Sequence, residues 1–206
     1  MVLIIVIATV LVSILCFNNA RAFQRLSLMP YKVFRDRQWD RVLTHGFVHG
    51  SWAHLLINML VFFSFGGYVF DICVAEAGAG GMGANASFAL LYFGGLVVAS
   101  IYDLVRYCND PRYASIGASG AVSAVVFSSI FFDPLGKIYF FGIVPMWGIL
   151  FGVLYLVYES WSARKGGDGV NHHAHIFGAL YGFVFPMLVW GFDKISIFLD
   201  GLGLSM

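Results

Sequence analysis

The sequence predicts an all-α membrane protein, with six transmembrane helices in a single domain over residues 1–206. Two observations carry that expectation. Apolar residues make up 60% of the chain and charged ones only 11%, against roughly 25% charged in an average soluble domain. Such a chain has too few polar groups to cover a surface in water. The apolar residues also gather into runs near the ~20-residue length that crosses a hydrocarbon core, and the charges fall between them. A net charge of +1 leaves no basic footprint, so nucleic acid is not an expected partner; the lipid bilayer is. Cys16, Cys73 and Cys108 are far apart, without a CxxC or other ligand spacing, and read as free thiols.

The spans fall at about 2–18, 52–70, 87–105, 117–132, 137–158 and 173–192. The first has no basic residue before its apolar run, which argues for a retained helix over a signal peptide, although Ala20-Arg21-Ala22 has the form of a cleavage site. Residues 19–51 carry Pro30 and much of the charge, too polar to span, and are expected at the interface or packed on the bundle. The second connection, VAEAGAGGMGANAS, is glycine-rich and flexible. A polar stretch with Pro111 precedes the fourth span, and Asp133-Pro134-Leu135-Gly136 makes a tight turn into the fifth. The segment ARKGGDGVN leads into the sixth.

The loops after the first, third and fifth spans share one side, and each leads into a helix that opens with unusual polar residues. The second span holds His54 and Asn58, spaced i, i+4 and therefore on one face. The fourth opens with Gly117-Ala118-Ser119-Gly120, and the sixth with His172, His173 and His175. A lone serine in a span more often packs or bonds helices. A serine, an asparagine and histidines at one depth are harder to explain that way, because intramembrane polar groups are costly and mark function by default. Gly178 and Gly182 form a GxxxG step three residues after His175. With Gly117 and Gly120 they allow the fourth and sixth helices to pack closely.

The residue types suggest a chemistry. His175 is placed to take the Ser119 proton as general base and return it to a leaving amine. Ser119 begins a helix, where unpaired backbone N–H groups favour an oxyanion. His54 and Asn58 offer further donors. No acidic residue falls inside the second, fourth or sixth span as bounded above, so the pair reads as a Ser–His dyad. Asp168, in a glycine-rich loop, is a weak candidate partner for His175.

His-x-x-x-Asn opening the second span, Gly-x-Ser-Gly the fourth and Ala-His-x-x-Gly-x-x-x-Gly the sixth together resemble the rhomboid family of intramembrane serine proteases. The resemblance covers essentially the whole chain. It implies a six-transmembrane-helix rhomboid-like bundle with Ser119 as nucleophile and His175 as base. It also implies an oxyanion hole of His54, Asn58 and the Ser119 amide, and transmembrane protein substrates. It implies no cofactor and no metal. His49 matches a recurring family histidine with a structural role, while His172 and His173 fall outside the motif and carry no implied catalytic part. Two departures stand out. Trp39-Asp40-Arg41 replaces the family's adjacent Trp-Arg pair. The aromatic often found four residues after the serine, stacked on the base, is Ser123 here, so another residue must brace His175.

The family usually opens its site to the extracytoplasmic side of the cell membrane, with both termini in the cytoplasm, and that orientation is the expectation here. Charge points the other way. Ten of the twelve Lys and Arg lie on the loop side, which the positive-inside rule assigns to the cytoplasm. Two further readings compete with a protease: a catalytically silent rhomboid-like protein that binds membrane clients, and a metal site or transporter using His45 and His49 at i, i+4.

Overall fold

The computed structural model describes residues 1–78, 82–140 and 143–204. Helix α1, Val2–Phe17, runs through the first apolar stretch. Three short helices follow in the first loop. Helix α2, Ala20–Leu26, is capped by the Asn19 side chain, which accepts from the amides of Arg21 and Ala22. Helix α3, Pro30–Arg35, starts on a proline, where the missing N–H costs nothing. Helix α4, Arg41–Thr44, runs into a 3-10 turn at His45–Phe47. Helix α5, Trp52–Ala75, is capped by Ser51 and followed by α6, Ala84–Arg106. Helix α7, Ser119–Phe132, is followed by a hairpin of β1, Lys137–Phe140, and β2, Val144–Trp147. Helix α8, Gly148–Lys165, and α9, His172–Trp190, come next. A 3-10 turn at Phe192–Lys194 leads into α10, Ile195–Gly201.

The bundle is an all-α membrane fold, apolar outward and selectively polar inward. On α5, Leu56, Ile57 and Leu60 are more than three-fifths exposed while Asn58 is buried, the reverse of a helix on a water-soluble core. Among the described residues, α5, α6 and α9 are long and apolar enough to cross a membrane, and α1 and α7 are shorter apolar helices. Helix α7 is the axis. Its residues from Gly120 to Phe131 are all buried, enclosed mainly by α9, α6 and α5.

Three sequence expectations change. The segment 137–158 is not one span: its first part is the antiparallel hairpin, with Tyr139 opposite Pro145. Pro145 and Lys137 explain this, because proline breaks a helix interior and disfavours α backbone at Val144 before it. The helix that follows reaches Lys165 and so takes in Glu159, which the sequence boundary at 158 left outside. Helix α7 begins at Ser119, not 117, because Gly117 has φ +111, a conformation outside the helical region that L side chains rarely adopt. Residues 79–81 of the glycine-rich connection, and 141–142 of the expected fifth span, lie outside the described residues.

The first loop packs on the bundle. Leu28, Val33 and Val42 form a small core against Leu104 of α6. Arg41 is buried and donates to the carbonyls of Gln24 and Ser27 at 2.7 Å and to Gln38 Oε1 at 2.6 Å. Trp39 stays half-exposed, edge-on to Phe34. Leu28 and Ser115 exchange two backbone hydrogen bonds of 2.9 Å, which ties this loop to the strand of chain leading into Ser119.

Candidate active site

Gly117 sets the site's geometry. Its amide donates to the His45 carbonyl at 3.0 Å, and its positive φ turns the chain so that Ser119 starts α7. A Cβ at Gly117 would sit 2.9 Å from His54 Cε1 and 3.0 Å from His54 Nε2, with Ser119 Oγ 3.9 Å away. The His54 imidazole therefore lies directly over the turn that presents the serine. No side chain caps α7, and the first amides of any helix have no intrahelical partner.

Helix α9 reaches the same place through glycine. A Cβ on Gly178 would collide with the Gly120 carbonyl, and one on Gly182 with the Ala124 carbonyl. Gly120 in turn faces the Ala174 carbonyl, at 3.2 Å from its Cβ position. The residue after Ser119 thus touches the residue before His175. Ser119 Oγ makes no hydrogen bond to His175 among the described residues, and such bonds are often long before substrate binds.

Helix α8 supplies what holds His175. The Tyr155 ring lies nearly parallel to the imidazole, 6.4 Å between centroids at 26°. Tyr155 Oη is hydrogen-bonded to Ser123 Oγ at 2.7 Å. The aromatic absent from position 123 is replaced from another helix, and Ser123 anchors it. One turn on, Glu159 Oε1 lies 3.0 Å from His175 Nδ1, within ion-pair reach but off the line of an aligned hydrogen bond. The site therefore does contain a buried carboxylate, which corrects the expectation of none. Glu159 also contacts His172 Nδ1 through Oε2 at 2.6 Å, and His172 Nε2 faces Asp168 Oδ2 at 2.9 Å. Asp168 thus pairs with His172, not with His175.

The other polar residues have definite partners. Asn58 Nδ2 donates to the His54 carbonyl at 2.9 Å. His49 is fully buried, with Nδ1 3.0 Å from Ser13 Oγ of α1 and its ring edge-on to His54 at 4.8 Å. His173 stacks on Tyr102 at 3.6 Å. Asn171 caps α9 by accepting from the Ala174 amide at 3.1 Å, and donates to Asp103 Oδ2 at 2.6 Å. A cavity of about 10 Å³ behind Ser119, bordered by Asp103, Ser115 and Asn171, has room for about one water. Sequence reading missed Asp103, Tyr155 and Glu159. Asn171 carried a signal, an Asn immediately before a helical run.

His45 and His49 do not form a chelating pair, since His45 Nδ1 bonds the Arg41 carbonyl at 3.0 Å and His49 bonds Ser13. Burial lowers the His45 pKa to about 4, and burial with the nearby His54 lowers that of His49 to about 3, so both are neutral at pH 7. Among the described residues, Glu159, His172 and His175 offer ligand atoms within 4.8 Å of one another, close enough to reach a single cation. Their direct pairing already satisfies most of those atoms.

A half-buried serine, histidines from two helices and a close glycine contact define the class: a polytopic membrane protein with a polar site between its helices. The rhomboid domain model matches residues 36–192, and the chain belongs to the rhomboid family. It is similar to the RHOMBOID-like protein 12, mitochondrial, of Arabidopsis thaliana, 26% identical over 154 residues, covering 71% of this chain and 45% of that protein. It is also similar to the Rhomboid-like protein 11, chloroplastic, of the same plant, 29% identical over 180 residues, covering 77% and 55%. The chain spans about half the length of these relatives.

Proposed function

We propose that this protein is an intramembrane serine endopeptidase that hydrolyses peptide bonds in or near transmembrane segments of other membrane proteins. The observation that carries the reading is the glycine-mediated contact between Gly120 and Ala174, which brings the residues beside Ser119 and His175 together under His54. Ser119 Oγ attacks the substrate carbonyl while its proton passes to His175. The negative oxygen is received by the Ser119 amide at the start of α7, with His54 and Asn58 as further donors. The substrate helix must unwind locally, because an intact helix hides its peptide bonds.

We place the site on the extracytoplasmic side of a cell membrane. The two relatives bear organellar names, mitochondrial and chloroplastic, and a reporter fused to the C-terminus reads the orientation: a C-terminus outside the cytoplasm overturns it. A silent rhomboid-like client-binding protein is the second reading, favoured by a Ser119 Oγ that has no hydrogen bond to His175 among the described residues. Labelling by a fluorophosphonate in detergent separates the two. Labelling lost in Ser119→Ala and His175→Ala is expected; none in folded wild-type protein sinks the protease reading.

A further inference from the structure

Tyr155 and Glu159 are spaced i, i+4 on α8, so they share a face, and both touch His175. The tyrosine ring lies near-parallel beside the imidazole, 6.4 Å between centroids, and the carboxylate meets its Nδ1 edge at 3.0 Å. An aromatic ring packed alongside and a carboxylate at the edge together limit the tilt and rotation of the imidazole. Glu159 is almost fully buried, with 4% exposure, and a buried charge persists only when paired. The pairing is unusually complete. Each nitrogen of His172 faces a carboxylate oxygen, from Glu159 at 2.6 Å and Asp168 at 2.9 Å.

Carboxylates only accept, so each of these short contacts needs a proton. Whether His172 carries both or one carboxylate is protonated, the three groups together hold a net charge of −1. That charge lies beside the atom of His175 opposite the one that receives the Ser119 proton. When His175 becomes imidazolium, the cluster becomes neutral, inside a medium where such attraction is far stronger than in water.

We propose that Glu159, anchored by His172 and Asp168, is the positioning residue for His175, so that a carboxylate from a neighbouring helix completes the Ser–His pair. This rests on the protease reading. In the step it assists, the Ser119 Oγ proton moves to His175 Nε2, an Oγ–C bond forms to the substrate carbonyl, and the carbonyl π pair moves onto oxygen. The Nδ1 proton stays on the ring, beside the Glu159 carboxylate, whose charge offsets that of the imidazolium.

The test uses the full chain in detergent and a fluorophosphonate probe, with Ser119→Ala as blank. The rate at saturating probe and the half-saturating concentration are measured for wild type, Glu159→Gln, Glu159→Asp and His172→Gln. Removing an orienting carboxylate from a hydrolytic triad costs up to ~10⁴-fold. Glu159→Gln is expected to lower the saturating rate on the order of 10²-fold or more with half-saturation unchanged. Glu159→Asp is expected to recover part of it, and His172→Gln to lose roughly tenfold through the loosened anchor. A Glu159→Gln protein at the wild-type rate overturns the proposal. So does a loss that appears in half-saturation instead, since that reports a distorted probe site. If Glu159→Gln does not fold, His172→Gln decides, and its wild-type rate overturns the assignment. A wild type without Ser119-dependent labelling overturns the protease reading and this proposal with it; a labelled wild type with an insensitive Glu159→Gln overturns this proposal alone.

Discussion

Adding one methyl group at Gly178 should disable the site without touching a reactive atom. A Cβ there would lie 2.7 Å from the Gly120 carbonyl carbon and 3.0 Å from its Cα, and would overlap its oxygen. These are backbone atoms and cannot rotate away. Reaching ordinary contact at 3.4 Å requires α9 to retreat from α7 by at least roughly 0.7 Å, and more to clear the oxygen. His175 lies three residues earlier on the same face and moves with it. A misplacement of about 1 Å costs on the order of 10²-fold in rate, and overpacking costs about 1–3 kcal/mol. Gly178→Ala should therefore lower fluorophosphonate labelling about 100-fold and depress thermal stability in detergent. Gly67→Ala on α5 is the control, since its Cβ meets nothing within 4 Å, and alanine in a helix interior gains up to about 1 kcal/mol over glycine. Wild-type labelling and melting in Gly178→Ala would refute the argument.

Arg41→Lys keeps the charge but loses the planar fork that serves Gln24, Ser27 and Gln38. It should cost on the order of 2–3 kcal/mol, read as a melting temperature several degrees lower; an unchanged melt would exclude the clamp. His45 and His49 have folded-state pKa values of about 4 and about 3, below the unfolded value near 6.5. Their stabilising contribution is present above pH ~6.5 and is lost as pH falls towards those lower values, at about 1.4 kcal/mol per pH unit for each histidine. Thermal melts between pH 6.5 and 4.5 should fall accordingly, and a flat profile would show that neither is held neutral. Tyr155→Phe keeps the ring against His175 and removes the 2.7 Å bond to Ser123. It should cost about 1 kcal/mol in stability and change labelling only a few-fold, whereas Tyr155→Ala should lose far more.

Sequence reading went furthest where a pattern was local. The glycines at 117, 120, 178 and 182, the start of the sixth helix within a residue, and the loop docking against the bundle were legible because spacing along one chain segment decides them. The paired strands at 137–140 and 144–147 were not, since their apolar residues mimic a span and only Lys137 and Pro145 spoke against it. Glu159 and Tyr155 were hidden for a different reason. Each lies on a helix that shares no motif with Ser119 or His175, and their role depends on the rotation of α8 against α9. The same holds for Asp103, which reaches Asn171 across 68 positions of sequence. Ser123 was read as the missing brace; only its bond to Tyr155 reveals it as the support of one supplied from elsewhere.

Helix α7 has 14 residues, about 21 Å at 1.5 Å per residue, well short of a hydrocarbon core of ~30 Å. A helix facing lipid at that length would suffer hydrophobic mismatch and thin the bilayer or tilt its neighbours. This one is buried along nearly its entire length, so lipid never measures it. Its length is therefore free to be set by how deep the serine lies, and the longer helices around it carry the matching to the membrane. Bilayer thickness should act on this protein through the outer ring, leaving the depth of Ser119 relative to its own bundle unchanged.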